Sequence, residues 1–472
     1  MVRGWDLADL ARRRPVIRNA AALALTAGVA RLCDAAYRVA VARLIGPETV
    51  GLLQMAGSVY AFAFALATLG LSPAVARLVA AGRAGREGSS GPGQPAEKER
   101  EVVAAARALA GPAGLASALL LLAAAPWLAR HVLADPRAEA PLRVLAFGLI
   151  PAGYCGVLRG RFQGAQRMAP LAWAQILEPA VRLTAILCAL LAFPALWSVP
   201  LPLPPAALLA AVAVVGEGAE CLFLAGWIAR EAGPTRRRGQ KMERGSLSPA
   251  ATLQLLHLAV PIMLGQFLLS AVAVADASLI PRLLTASGLP PPLATREYGT
   301  LYGMVLPFLF VPMTLVFPLG AVLIPGVAEA RAAANFQKLR RRIALAVRAT
   351  VAIEAGAALL YLAAPGQLAE VVGGGAAVAE LIRGLALWVP FAYLDHIGSA
   401  ALIGLGSARG ALLDGLLNAA VRLSLASLLV PHPALRSKGA LLALAAGDAA
   451  ATAAHFLRLN RQLPPMNRRK AL

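Results

Sequence analysis

Twelve long apolar runs dominate the sequence, and each is long enough to cross a lipid bilayer. A transmembrane helix needs about 20 mostly apolar residues to span roughly 30 Å of hydrocarbon. In lipid a helix satisfies all of its own backbone hydrogen bonds, so the runs predict helices rather than strands. The sequence therefore predicts an all-α polytopic membrane protein. The predicted spans are 17–42, 49–72, 102–127, 141–161, 170–193, 204–229, 252–280, 299–325, 343–364, 378–403, 408–430 and 438–459.

The composition agrees with a membrane protein and excludes several other classes. The chain is 59% hydrophobic and 15% charged, whereas soluble domains are roughly 45–50% apolar and about 25% charged. A soluble protein this apolar could not cover its surface with polar groups. A cytosolic enzyme, a nucleic-acid-binding module and a disordered chain are all excluded on this ground.

The basic residues predict the orientation of the chain in the membrane. The formal net charge is +21, and Lys and Arg are enriched in cytoplasmic loops of membrane proteins. With the N-terminus inside, about 30 Lys and Arg fall in the cytoplasmic segments and about 8 in the opposite loops. We therefore expect both termini to be cytoplasmic.

Two segments, 177–191 and 417–430, share the sequence AVRL and predict an internal repeat. The shared letters align Arg182 with Arg422; chance likeness between Ala- and Leu-rich helices is the alternative. A real repeat predicts two pseudo-symmetric six-helix lobes with a transport site between them. The predicted parts are an N-terminal lobe at 1–232, a cytoplasmic linker at 233–250, a C-terminal lobe at 251–460 and a cytoplasmic tail at 461–472.

Charged residues inside the predicted spans are the candidate functional residues. An isolated charge near the bilayer centre costs about 2.5–3.5 kcal/mol, so it should face a cavity or a partner. Arg31, Asp34 and Arg38 lie on one face of the first span, and their charges do not cancel. Because guanidinium groups bind phosphate oxygens in pairs, this face suits a phosphorylated substrate.

Glu178 and Arg182 also share one helix face, at i and i+4. An internal salt bridge that only holds two helices together is the alternative to a role in binding. Further acids in or near the spans could carry a coupling proton or cation, or pair with an arginine. These acids are Glu217, Glu220, Asp276, Asp395, Asp414 and Asp448. The full candidate set for a central substrate cavity is Arg31, Asp34, Arg38, Glu178, Arg182, Asp276 and Arg422.

Other motifs point to helix packing rather than chemistry. Gly156, Gly160 and Gly164 are spaced by four, which allows close helix packing or a tight turn. Nothing resembles a nucleotide-binding loop, a hydrolase elbow or a zinc site. We expect no catalytic residue, no metal site, no cofactor and no enzymatic activity.

The stretch VLRGRFQGAQRMAPLAWAQILEPAVRL at 157–183 resembles a pattern from a known family. The pattern, RG-x-x-QG-x-x-x-M-x-P followed by E-x-x-x-R, is typical of the stage V sporulation protein B group of oligosaccharide flippases. Other segments agree in order along the chain. They are 37–55, 71–80, 275–288 and 298–330.

The resemblance implies the fold of the multidrug/oligosaccharidyl-lipid/polysaccharide (MOP) exporter superfamily. In that fold two six-helix lobes form a V around a central cavity, as in MATE transporters. In related lipid II flippases, arginines in the cavity of the first lobe engage the pyrophosphate. By position in the first span, Arg38 and Arg31 match that role. Glu178 and Arg182 match the motif of the group, which does not fix their role.

These observations predict a flippase that exports a lipid-linked oligosaccharide or peptidoglycan precursor by alternating access. The expected carrier is undecaprenyl pyrophosphate in the inner membrane of a bacterial cell, and the expected pathway is spore cortex or envelope polysaccharide synthesis. Expected partners are this lipid-linked glycan, membrane lipids and a coupling H⁺ or Na⁺, with no nucleic acid. The alternatives are a cation-coupled multidrug antiporter of the same superfamily and a non-transporting membrane scaffold.

Overall fold

The computed structural model describes residues 26, 28–84, 94–192, 204–231 and 248–463. Within these ranges the chain forms helices and short connections, with no strand. The helices are α1 (28–45), α2 (Pro47–Thr68), α3 (Leu71–Ala84), α4 (Gln94–Trp127), α5 (Glu139–Gly164), α6 (Met168–Ala192), α7 (Pro205–Glu231), α8 (Pro249–Ala286), α9 (Pro291–Gly299), α10 (Leu306–Ala332), α11 (Phe336–Ala363), α12 (Pro365–Val371), α13 (Ala376–Gly404), α14 (Ala408–Leu429) and α15 (Arg436–Gln462).

Eleven helical segments of the described chain are long and apolar enough to cross a membrane. They coincide with the second to twelfth predicted spans, which confirms the all-α polytopic fold. The first predicted span, 17–42, lies partly outside the described residues, and the described part from residue 28 is helical. Most of the predicted linker at 233–250 and of the tail at 461–472 also lies outside them.

The second span is broken between α2 and α3. Leu69 and Gly70 both have positive φ angles, 49° and 65°, which end one helix before the next begins. A Cβ atom on Gly70 would lie 2.6 Å from the carbonyl oxygen of Ala259 in α8. Glycine is therefore required here twice, for its backbone conformation and for the close approach of α8.

Packing divides the chain into two compact units, which we describe separately. Unit 1 comprises the chain up to Val41 and Leu52–Ala277; unit 2 comprises Ala42–Gly51 and the chain from Ser278. The first part of α8 belongs to unit 1, because Leu255 and Ala259 are buried in one core with residues of α3 and α4. The six-helix lobes at 1–232 and 251–460 stay a prediction.

Helix α5 packs closely against α3 in unit 1, as the glycine spacing predicts. A Cβ atom on Gly160 would lie 2.3 Å from the carbonyl oxygen of Ser72, and one on Gly164 would lie 2.5 Å from that of Ala76. Gly156 is different, since its Cβ would meet Ser72 at an ordinary 3.9 Å. Two of the three glycines therefore set the distance between these helices.

The same local arrangements recur in unit 2 and confirm the predicted repeat. Gly404 ends α13 as Gly164 ends α5, and its Cβ would lie 2.8 Å from a backbone oxygen of α10. The turn after each helix is also the same. Gln166 and Gly406 occupy matching positions with φ angles of 54° and 73°, and both turns are closed by the same pattern of three backbone hydrogen bonds.

The two glycines provide a matched pair of substitutions. Gly160→Ala forces a methyl group against the backbone of Ser72, so α3 and α5 must separate. We expect a loss of about 1–3 kcal/mol, the usual effect of overpacking. Gly156→Ala on the same helix should leave stability near that of the unchanged protein. Thermal unfolding in detergent measures both variants, and equal midpoints would contradict the packing of α5 on α3.

Candidate functional site

The centre of unit 1 holds a network of charged side chains from α5, α6 and α7. Arg159 in α5 donates through both nitrogens of its fork to the Glu220 carboxylate in α7, with Nε to Oε1 at 2.7 Å. Glu220 is 2% exposed, so its charge is removed from solvent and depends on this arginine. A second carboxylate oxygen, on Glu178 of α6, lies 3.9 Å from the same guanidinium.

Glu178 and Arg182 form the predicted ion pair along α6. Arg182 donates from Nη2 to Oε1 of Glu178, and both side chains are about three-quarters buried. Gly216 in α7 allows this approach, because a Cβ there would lie 2.8 Å from Cγ of Arg182. The pair therefore lies against the backbone of α7, between Arg159 and the first helix.

A tyrosine from α2 completes the network. The hydroxyl of Tyr60 donates to Oε2 of Glu217 in α7. Gly148 in α5 leaves the space for this bond, since a Cβ there would lie 2.9 Å from the Tyr60 hydroxyl and 3.2 Å from the carboxylate. Glu217 and Glu178 also interact electrostatically, so one network includes the acids of α6 and α7.

Helix α1 presents its charges next to this network. Arg38 donates from Nε to Oδ2 of Asp34 at 2.9 Å. Asp34 and the buried Tyr37 both interact electrostatically with Arg182. Arg31 lies on the same face, is exposed, and forms no ion pair or hydrogen bond with any described residue. The face thus carries two arginines and one carboxylate, and its surplus positive charge is on Arg31.

Unit 2 contains a network at the corresponding place. Asp448 in α15 accepts from Nε1 of Trp388 at 2.5 Å and from Nδ2 of Asn418 at 2.6 Å. Arg422, one turn after Asn418, interacts with Asp448 electrostatically. A Cβ on Gly447 would meet Oδ1 of Asn418 at 2.7 Å and Cβ of Arg422 at 3.0 Å.

The two networks share the same local arrangement. Gly216 precedes Glu217 and lies against Arg182 of the preceding helix. Gly447 precedes Asp448 and lies against Arg422 in the same way. The two networks differ in two ways. Asn418 occupies the position in unit 2 that Glu178 occupies in unit 1. The donor to the acid is the indole of Trp388 from α13 in unit 2, and the hydroxyl of Tyr60 from α2 in unit 1.

A second cluster in unit 2 surrounds Asp414 of α14. Its carboxylate accepts from Arg458 Nε at 2.7 Å and lies 2.9 Å from Nδ1 of His455. The other nitrogen of His455 is 3.2 Å from Oδ1 of Asp395 in α13. Asp414 and His455 are each 2% exposed, so the cluster ties α13, α14 and α15 together in the interior.

The structure joins five of the seven candidate residues into or beside the first network and separates the other two. Arg31, Asp34, Arg38, Glu178 and Arg182 belong to unit 1 and lie on α1 and α6. Arg422 belongs to the network of unit 2. Asp276 is buried on α8 at 6% exposure, and none of the network contacts described above involves it. Their common role in a substrate cavity stays a prediction.

Sequence reasoning missed Arg159 and Tyr60. Arg159 lies near the end of the predicted span 141–161, within the RG motif, and is not among the charged residues that the sequence predicts to be functional. Its pairing with Glu220 brings together residues 61 positions apart. Tyr60 carries no charge and lies in a run of small apolar residues, so only the contact with Glu217 identifies it.

Comparison with known proteins gives a family and a fold. A family model described as polysaccharide biosynthesis protein matches residues 16–331. Stage V sporulation protein B from Bacillus subtilis (strain 168) is 27% identical over 438 residues, which are 92% of this chain and 82% of that protein. These relatives agree with the resemblance of the 157–183 stretch.

Solved structures share the fold at low sequence identity. An inward-facing multidrug resistance MATE family transporter of the MOP superfamily matches with a TM-score of 0.74 and 15% identity over 93% of this chain and 94% of that one. The outward-facing form of such a transporter matches at 0.64 and 16%, over 94% and 95%. A MOP superfamily transporter from Pyrococcus furiosus, described by the reverse polarity of its binding pocket, matches at 0.61 and 15%, over 94% and 95%.

The Arg159–Glu220 pair gives a prediction about stability. Glu220→Ala leaves a guanidinium without its buried partner, and we expect a loss of about 3–5 kcal/mol. Glu139, at the start of α5, is the partner of both Arg143 and Arg130, and Glu139→Ala removes it. The side chains of these arginines are 54% and 63% exposed. That variant should lose less than about 1 kcal/mol. Thermal unfolding in detergent compares them, and similar losses would contradict the buried role of Glu220.

Proposed function

The chain belongs to the polysaccharide biosynthesis protein family, and from this premise we propose that it flips a lipid-linked oligosaccharide or peptidoglycan precursor across the membrane. The solved proteins that share its fold are described as transporters, and the chain is a multi-pass transporter rather than an enzyme. The proposed carrier is undecaprenyl pyrophosphate. The proposed pathway is spore cortex or envelope polysaccharide synthesis.

The observation that carries this proposal is the charge on the face of α1. Asp34 pairs with Arg38, and Arg31 has no partner among the described residues. A pyrophosphate offers several oxygens, and one guanidinium group can donate two parallel hydrogen bonds to them. These bonds are stronger than hydrogen bonds between neutral groups. An anionic headgroup would therefore satisfy Arg31 and could compete with Asp34 for Arg38.

The acids of unit 1 argue for an anionic substrate and against a cationic drug. Glu178 pairs with Arg182, Glu220 with Arg159, and Glu217 accepts from Tyr60. A cationic drug that displaced Arg182 from Glu178 or Arg159 from Glu220 would leave a largely buried guanidinium without its partner. Arg31 needs no such displacement. A multidrug antiporter is thus the less favoured function.

The proposal includes the orientation and organisation of the transporter. Basic residues concentrate in the segments between even and odd spans, which supports cytoplasmic termini in a bacterial inner membrane. We propose that lobes at 1–232 and 251–460 alternate in access around a cavity, with a coupling H⁺ or Na⁺. Asp276 and Arg422 join Arg31, Asp34, Arg38, Glu178 and Arg182 as its proposed lining.

The decisive experiment is flipping of a lipid-linked oligosaccharide pyrophosphate by the purified chain in vesicles. Replacing both Arg31 and Arg38 with alanine should lower the initial rate at least about tenfold, since each arginine bond to a charged group contributes about 1.5–3 kcal/mol. The double lysine variant should recover part of the rate, because lysine keeps the charge and loses the planar fork.

Arg143→Ala is the matched control. Arg143 also pairs with an acid one turn away, at 2.8 Å from Glu139, but it lies near the exposed start of α5. Its rate should be unchanged. Full flipping by the double alanine variant would remove these arginines from the mechanism. Absence of flipping by the unchanged protein, together with drug resistance conferred on a sensitised strain, would favour the antiporter instead.

A further inference from the structure

Helix α11 has a buried stripe that contains an acid with no partner in the described part of the chain. The residues of this stripe recur every three or four positions and are buried. They are Leu339, Ile343, Ala346, Thr350, Glu354, Ala357 and Tyr361. Glu354 is 5% exposed, and Thr350, one turn earlier, is fully buried. Neither Oε1 of Glu354 nor Oγ1 of Thr350 has a hydrogen-bond partner among the described residues.

No basic group among the described residues neutralises Glu354. Lys338 and Arg342, near the start of α11, bind Glu329 at 2.8 and 3.0 Å and lie at least three turns away from Glu354. Arg348 is exposed and falls on another face of α11, since six residues rotate the helix by about 240°.

Among the residues that the structure describes, the helices packed against α11 offer no counter-charge either. The buried residues of α10 are apolar, and Leu309, Met313 and Val316 are among them. Its titratable groups, Glu329 and Arg331, are in its last turn. The titratable residue of α12 is Glu370, an acid, which cannot neutralise another acid.

On α13 the group that interacts electrostatically with Glu354 is the hydroxyl of Tyr393. The other titratable residues of α13 belong elsewhere. Glu380 pairs with Lys438, Asp395 lies beside His455, and His396 packs on Phe317 and Gly320. Arg383 is exposed near the start of the helix.

Glu354 interacts electrostatically with Tyr393, one of two tyrosines that donate to the backbone of α10 near Pro312. Pro312 in α10 has no N–H, so it cannot donate to the carbonyl oxygen of Phe308 four residues earlier. The hydroxyl of Tyr361 donates to this oxygen at 2.6 Å, and that of Tyr393 donates to the carbonyl oxygen of Leu309 at 2.6 Å. These bonds join α11 and α13 to α10 around the position where its backbone hydrogen bonding is interrupted.

We propose that Glu354 is a proton-binding site of unit 2, and that its proton is what allows α11 to pack against α10 and α13. A lone carboxylate in this apolar interior is strongly unfavourable, whereas an unionised carboxyl group is tolerated. Loss of the proton would place an uncompensated charge beside the two tyrosine bonds. Helix α11 would then have to move to hydrate it, so proton binding controls the packing around Pro312.

The inference does not depend on the identity of the transported molecule, and spectroscopy can test it. Infrared spectra of the full chain in vesicles at neutral pH should contain the C=O stretching band of an unionised carboxyl group. Glu354→Gln should remove this band. The control Glu329→Gln should keep it, because Glu329 is exposed and paired with two cations. Equal bands in all three proteins would overturn the proposal.

Two further measurements cover the remaining outcomes. If the Glu354→Gln variant does not fold, a hydrophobic carbodiimide, which reacts with protonated carboxyl groups, should label the Glu354 peptide of the unchanged protein and spare the Glu329 peptide. Labelling of Glu329 with no labelling of Glu354 would contradict a proton at this site. An unionised-carboxyl band that appears only after sodium is removed would also overturn the proposal, in favour of a metal cation.

Discussion

A charge inside a membrane protein is stable only beside a partner, and this constraint organises the interior of both units. In unit 1, Arg159 binds Glu220 through both arms of its fork, and Arg182 binds Glu178. In unit 2, Asp414 lies between His455 and Arg458. Each pair crosses from one helix to another or lies against a neighbouring glycine. Charge pairing therefore fixes which helix faces meet, a task that apolar contacts alone perform weakly in lipid.

Because of the repeat, the charge networks of the two units can be compared position by position. Gly216 and Gly447 hold equivalent places beside Arg182 and Arg422, yet Asn418 replaces Glu178. An amide in place of a carboxylate removes one negative charge next to the arginine of unit 2. The carboxylate of Asp448 is bound by an indole and an amide, both neutral. The two networks thus keep the same geometry with different charge, and that difference gives the two units distinct chemistry.

The fold could be predicted from the sequence because lipid imposes a simple rule on length and polarity. Spans two to twelve follow directly from apolar runs, and the repeat follows from the shared AVRL. The site was only partly predictable. Spacing of three or four residues identifies Glu178–Arg182 and Asp34–Arg38, which lie within one helix. It cannot identify Arg159–Glu220 or Tyr60–Glu217, because those contacts depend on how separate helices pack. It also cannot identify Glu354, whose distinguishing property is that no described residue is its partner.

Arg31 and Glu354 are the informative exceptions to the pairing rule. Most intramembrane charges described above have a partner that accounts for their presence. Removing that partner is expected to lower stability, which by itself does not indicate a role in transport. Arg31 is exposed on a face with surplus positive charge, so an external anion can bind it without breaking an existing pair. Glu354 is buried among apolar residues, where a proton is the smallest group that removes its charge. An exposed unpaired cation favours binding of a substrate, whereas a buried unpaired acid favours binding of a proton. The two proposals therefore place different tasks of a transporter in the two units, headgroup recognition on α1 and a proton-dependent change of packing on α11.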